Sequence, residues 1–132
     1  MKRLLKTRTM SSFFLAVALF LSLALSASAA GGTEIISPIG SYTSAPTTIT
    51  WSQQSNAKAA QIFIGSTDNT FSYNSGAIYS NAGASTAYYQ IPLDIVASMP
   101  KGKTYRIYLE TYHYNGNNYV GYNTDQEFYS FN

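Results

Sequence analysis

Apolar and polar residues alternate in short segments along this chain, and clusters of Gly, Pro, Asn and Ser separate the segments. That period of two, repeated between turn signals, predicts strands of an all-β sandwich or barrel. "TEIISPIG" reads as an edge strand that kinks at Pro38, because proline has no N–H to give to a ladder. "TTITWS" sets Ile49 and Trp51 on one face, and "AAQIFIGS" sets Ala60, Ile62 and Ile64 inward with Gln61 and Phe63 opposite. The Asn-, Ser- and Gly-rich stretch from Thr67 to Ser85 predicts loops around one or two short strands. "TAYYQIPL" gives a further strand with Tyr89 and Ile91 on one side, and "DIVASMPKGK" a small helical turn stopped by Pro100.

"KTYRIYLETYHY" is the clearest strand, with Tyr105, Ile107 and Leu109 inward and Arg106, Tyr108, Glu110, Tyr112 and Tyr114 on the other face. Asn115-Gly116 then predicts a type I′ hairpin turn. A turn centred on that pair would set Tyr112 against Tyr119, His113 against Asn118 at the rim, and Arg106 against Asp125.

The start of the chain is of another kind. Lys2, Arg3, Lys6 and Arg8 precede an apolar run from Phe13 to Leu25 and an "ASA" at Ala27 to Ala29, the layout of a secretory signal peptide over residues 1–29. The run is about 13 residues long, short of the roughly 20 that span a bilayer. Residues 30–132 are then one secreted domain, sized for a single core. The formal charge of the whole chain is +2, but half of its eight basic residues lie in the signal, so the domain carries four cations against six acids. A mildly acidic domain without a basic stripe is a poor partner for nucleic acid or anionic membrane. The absence of cysteine rules out disulfides and an acylated-cysteine anchor, so burial alone must hold the fold.

The runs "SPIG", "ITWS", "AAQIFIGST" and "MPKGKTYRIYLET" before an "NG" hairpin resemble the fibronectin type III-like modules of secreted bacterial proteins. The resemblance covers most of residues 34–131. It implies an antiparallel β-sandwich of about seven strands, with Trp51 as the core tryptophan, Met99 and Pro100 at the turn before strand F, and Tyr105 as the first core aromatic of that strand. It also implies that strands C, F and G are neighbours. The chain departs from the pattern at Ala60, where an aromatic is common, and it has no "RGD".

Candidate chemistry is sparse. A nucleophilic triad would have to be built on His113, beside a hairpin tip open to water. Asp68, Asp94, Glu110, Asp125 and Glu127 supply carboxylates for a glycosidase pair, but Arg106 is expected to neutralise Asp125 and turn chemistry accounts for Asp68. No His/Cys cluster suits zinc, and residues 66–70 offer at most part of a calcium site. The expectation is therefore a non-enzyme without cofactor or metal. With C, F and G adjacent, Phe63, Tyr108, Tyr112 and Tyr119 would share one solvent-facing sheet surface with Arg106, a place where sugar rings stack. The chain thus reads as a secreted binding or adhesion module recognising an extracellular polysaccharide. The alternative is a structural or assembly protein that binds a surface protein, and a small hydrolase is the least favoured reading.

Overall fold

A computed structural model describes residues 32–132; the expected signal peptide lies outside the described residues. The described chain forms two separate sheets and no barrel. Its strands are β1 (Glu34–Ser37), β2 (Gly40–Tyr42), β3 (Thr48–Ser52), β4 (Ala57–Ser66), β5 (Ser72–Asn74), β6 (Thr86–Gln90), β7 (Thr104–Asn115) and β8 (Asn118–Phe131), with one helix, α1 (Leu93–Ser98), between β6 and β7. The small sheet has the order β1-β3-β6 and the large one β2-β8-β7-β4-β5. All pairings are antiparallel except β2 with β8.

Eight strands stand where about seven were expected, because "TEIISPIG" and the residues after it are two strands in different sheets. β1 pairs with β3, the chain passes the cis Ser37–Pro38 peptide, and β2 pairs with β8 of the other sheet.

The inward positions follow the alternation. Ile49 and Trp51 of the small sheet meet Ala60, Ile62 and Ile64 of β4 and Tyr105, Ile107 and Leu109 of β7 in one core. Trp51 donates its indole N–H to Gln53 Oε1 at 2.8 Å, and the Gln53 amide donates to the Asn81 and Ala84 carbonyls. A buried N–H needs such an acceptor, and the same glutamine ties down the loop ahead of β6. Tyr105 donates its hydroxyl to the Pro100 carbonyl, pinning the segment that follows α1 to the start of β7.

The hairpin departs from its expected form. Its central residues are Gly116 and Asn117, with Asn115 opposite Asn118, and only Gly116 has positive φ, the φ pattern of a type II′ turn. One residue later in β8, Val120 bulges out and Gly121 takes φ 136°. Beyond the bulge Tyr112 faces Tyr122, Leu109 faces Asp125, and Arg106 faces Phe128 instead of Asp125. A one-residue change of register turns every side chain of a strand to its other face. Here it brings Tyr129 and Phe131 inward, each with its ring 5.6 Å from that of Tyr105. Burying two such rings stabilises the domain by about 1.5–3 kcal/mol each, far more than an exposed Arg–Asp pair at about 0–1 kcal/mol. Asp125 and Glu127 also turn inward, but they stay half-exposed at the margin of the sandwich. There Asp125 Oδ2 accepts the Ile35 N–H at 2.8 Å.

That bond and the two that Asn81 makes close the edges of the small sheet. On β6 the Asn81 amide accepts the Tyr88 N–H at 3.2 Å and donates to the Tyr88 carbonyl at 2.9 Å, standing in for a neighbouring strand. Edges blocked in mid-strand resist pairing with other chains.

Candidate functional site

The outer face of the large sheet is built from cross-strand rows of β4, β7 and β8. Directly opposite residues of an antiparallel pair share a face, so each row can be followed across the sheet. The rows run Gly65–Arg106–Phe128, Phe63–Tyr108–Gln126, Gln61–Glu110–Thr124 and Ala59–Tyr112–Tyr122, with Tyr114 and Tyr119 beyond the bulge. Phe63, Tyr108, Tyr112, Tyr119 and Arg106, the five residues expected to form the binding face, all stand on it. The rings of Phe63 and Tyr108 are 6.2 Å apart, and that of Tyr112 lies 6.5 Å from Tyr119 and 6.1 Å from Tyr122. Tyr112 and Tyr119 meet diagonally across the bulge rather than as the expected direct pair, because Tyr119 is held opposite Tyr114.

The face is less open than expected. Tyr119 and Phe128 are each 44% exposed, but Tyr108 is 4% exposed and Glu110, in the middle row, 1%. Glu110 accepts the Tyr112 hydroxyl at 3.0 Å, and no cation lies within ion-pair distance of it among the described residues. Burial pushes its carboxyl up to about 7, and the Tyr112 bond offsets only part of that. Burial also raises Tyr119 and Tyr122 to about 12, with the Glu110 charge adding to both. Tyr108 and Tyr112 are raised further by the same two causes. In the same and the adjoining row three buried oxygens, Tyr108 Oη, Thr124 Oγ1 and Gln126 Oε1, meet no hydrogen-bond partner. Thr124 does lie near enough to Tyr108 to favour its ionised form, without the geometry of a formed bond.

A groove of about 580 Å³ adjoins the aromatic rows on the β5 side, lined among others by Phe63, Asn74, Arg106 and Tyr108. Asn74, one of its lining residues, accepts from the Gln61 amide at 2.7 Å. At the hairpin end, Lys58 lies 5.8 Å from the centre of the Tyr114 ring and donates to the Gly116 carbonyl at 2.6 Å. That contact fixes the turn against the base of β4.

No protein-family profile matches the chain, and no curated protein does either. Its chemistry must be read from the fold itself.

His113 is a correction. It is not at the rim opposite Asn118 but 4% exposed on the inner face, opposite Gly121. Asn56 Oδ1 accepts from Nδ1 at 2.7 Å, which leaves Nε2 to accept from Thr111 at 2.8 Å and Asn123 at 3.2 Å. Thr33 in turn meets the Thr111 hydroxyl at 2.7 Å. Burial lowers the histidine's pKa, and a neutral ring suits this network. Glu110 lies on the opposite face, so the two do not meet. Asp125 is not neutralised by Arg106, which faces Phe128; burial raises its carboxyl and that of Glu127.

Asp68 behaves as a turn residue. Its Oδ1 accepts the Thr70 N–H at 3.2 Å and hydroxyl at 2.7 Å, and Oδ2 pairs with Lys103. The Lys103 ammonium and the Thr70 donors hold that carboxyl well below the usual range. Among the described residues no three His, Cys, Asp or Glu side chains gather as metal ligands, and no helix is long and apolar enough to cross a membrane.

The alternation missed Tyr122, Thr124, Gln126 and Phe128 because the bulge turned them outward. Gly121, an isolated glycine within an alternating strand, was the available signal.

Proposed function

We propose that this chain is a secreted, non-catalytic binding module of fibronectin type III-like kind, and that it holds an extracellular glycan on the outer face of its large sheet. The observation that carries the reading is the set of aromatic rows across β4, β7 and β8, flanked by Arg106, Gln61 and Glu110 and continuous with the 580 Å³ groove. Flat rings beside planar polar groups suit the faces and hydroxyls of sugars. The fold type draws support from the neighbouring positions of β4, β7 and β8 as strands C, F and G, from Trp51 in the core, and from the Tyr105 hydroxyl bonded to the Pro100 carbonyl. That last contact resembles the tyrosine corner of immunoglobulin-like sandwiches. Against catalysis, His113 is buried with both nitrogens engaged, and Glu110 has no second carboxylate in its row or the adjacent ones.

A glycan array of the mature domain, with Tyr112→Ala and Tyr119→Ala as controls, tests the reading. A bound glycan lost in both variants supports it; no binding, or equal binding by all three proteins, sinks it. A second reading, assembly with a surface protein, draws on Ile36 and Tyr88, which are 51% and 65% exposed on the small sheet. The blocked β1 and β6 edges weigh against assembly by strand addition there. Light scattering across a concentration series addresses self-assembly, which a strictly monomeric protein contradicts.

A further inference from the structure

We propose that the outer face of the large sheet selects a glycan bearing protonated amines, an amino-sugar chain with free amino groups, and that Glu110 is its charged contact. The inference rests on the reading of this face as a glycan surface and names the class of glycan.

Glu110 is the only carboxylate in the aromatic rows, and its one hydrogen-bond donor among the described residues is the Tyr112 hydroxyl. The single ion pair among the described residues, Lys103–Asp68, is in a loop elsewhere. Glu110 faces Thr124, and in the adjoining row Tyr108 faces Gln126; the side-chain oxygens of these three neighbours are buried without a hydrogen-bond partner. The buried carboxylate thus has no cation beside it among the described residues, and the Gln126 amide oxygen has no donor. An ammonium group supplies three N–H donors, no acceptor and a positive charge. The neighbouring phenol rings favour a cation near their faces, and the domain's excess of acids over bases draws a cationic polymer toward it. A neutral sugar brings no positive charge to the carboxylate, and a uronic acid chain would set like charge against Glu110. The amine reaches the carboxylate by turning aside the half-buried Tyr112 ring and replacing its hydroxyl. Phe63 and Phe128 in the next rows stack the adjoining sugars.

The test titrates a glucosamine hexamer and its fully N-acetylated counterpart into the mature domain at about pH 7 and low salt. The comparison is repeated in Glu110→Gln and in Asp94→Asn, a carboxylate on α1 away from the face. The free-amine oligomer is expected to bind at least about tenfold more tightly than the acetylated one. That preference should disappear in Glu110→Gln and persist in Asp94→Asn. Equal affinity of the wild type for the two oligomers overturns the inference, as does a preference that survives Glu110→Gln or falls equally in Asp94→Asn. If the acetylated oligomer binds through Tyr119 with no advantage to the free amine, this inference fails and the glycan face stands. If no glycan binds at all, both fail.

Discussion

Replacing Glu110 with Gln should stabilise the domain at alkaline pH and remove much of the pH dependence of its unfolding. The carboxyl is buried, and its pKa rises from 4.5 to about 7 on folding. Between those values the folded chain holds a proton that the unfolded chain releases, so stability is greatest below the lower value. It falls as pH rises toward about 7, and the loss is complete above that. A shift of that size corresponds to about 3 kcal/mol, a large share of the stability of a small domain. Glutamine keeps the shape, needs no desolvation of a charge, and brings N–H donors toward Thr124 Oγ1 and Tyr108 Oη. Urea unfolding of both proteins at about pH 4.5 and about pH 9 should give similar stabilities in acid and a variant more stable by about 2–3 kcal/mol in alkali. Asp125 and Glu127, whose carboxyls are also raised, add to the wild-type slope. His113, whose pKa is lowered, opposes it, as does the lowered Asp68. Because all four are common to both proteins, the difference between the two curves isolates Glu110. A difference that does not change with pH refutes the account of a buried, uncompensated carboxyl.

Other consequences follow from the same geometry. Gly121→Ala should cost about 1–3 kcal/mol in urea unfolding, because φ there is 136° and nothing within 4 Å crowds the site, so the penalty lies in the backbone alone; an unchanged midpoint contradicts the bulge. Gln53→Leu leaves the Trp51 indole N–H buried without its acceptor and frees the loop near Ala84, with an expected loss of about 1–3 kcal/mol and faster amide exchange in that loop. Asn81→Ala uncovers the N–H and C=O of Tyr88 on the β6 edge and should raise concentration-dependent association by sedimentation, whereas a variant as monomeric as wild type shows that the cap is not needed.

Much of the fold was legible because burial follows alternation. Ile49, Trp51, Ile62, Ile64, Tyr105, Ile107 and Leu109 stand inward as their spacing predicts, and Pro100 ends the short helix region where expected. The hairpin was only partly legible. Asn115-Gly116 announces a turn, but whether the returning strand then bulges by one residue depends on where its aromatics come to rest. Tyr129 and Phe131 settle that by packing on Tyr105, more than twenty residues away from them along the chain. Local turn propensity carries no information about that tertiary gain. The site inherits the same limit. Phe63, Tyr108 and Tyr112 share a face because β4 and β7 pair without disturbance there, whereas the β8 contribution waits on the Val120 bulge. The buried state of Glu110 was hidden too, since alternation gives the face of a side chain but not how much of that face is covered.

The most direct test of the account is a calorimetric titration of a glycan captured by the wild-type domain into Tyr119→Ala, Phe128→Ala and Tyr88→Ala. Tyr119 and Phe128 are exposed on the proposed face, and Tyr88 is exposed on the opposite sheet. The account predicts that the first two lose affinity by about tenfold or more while Tyr88→Ala binds as wild type does. Loss of binding in Tyr88→Ala with the other two unaffected would contradict it.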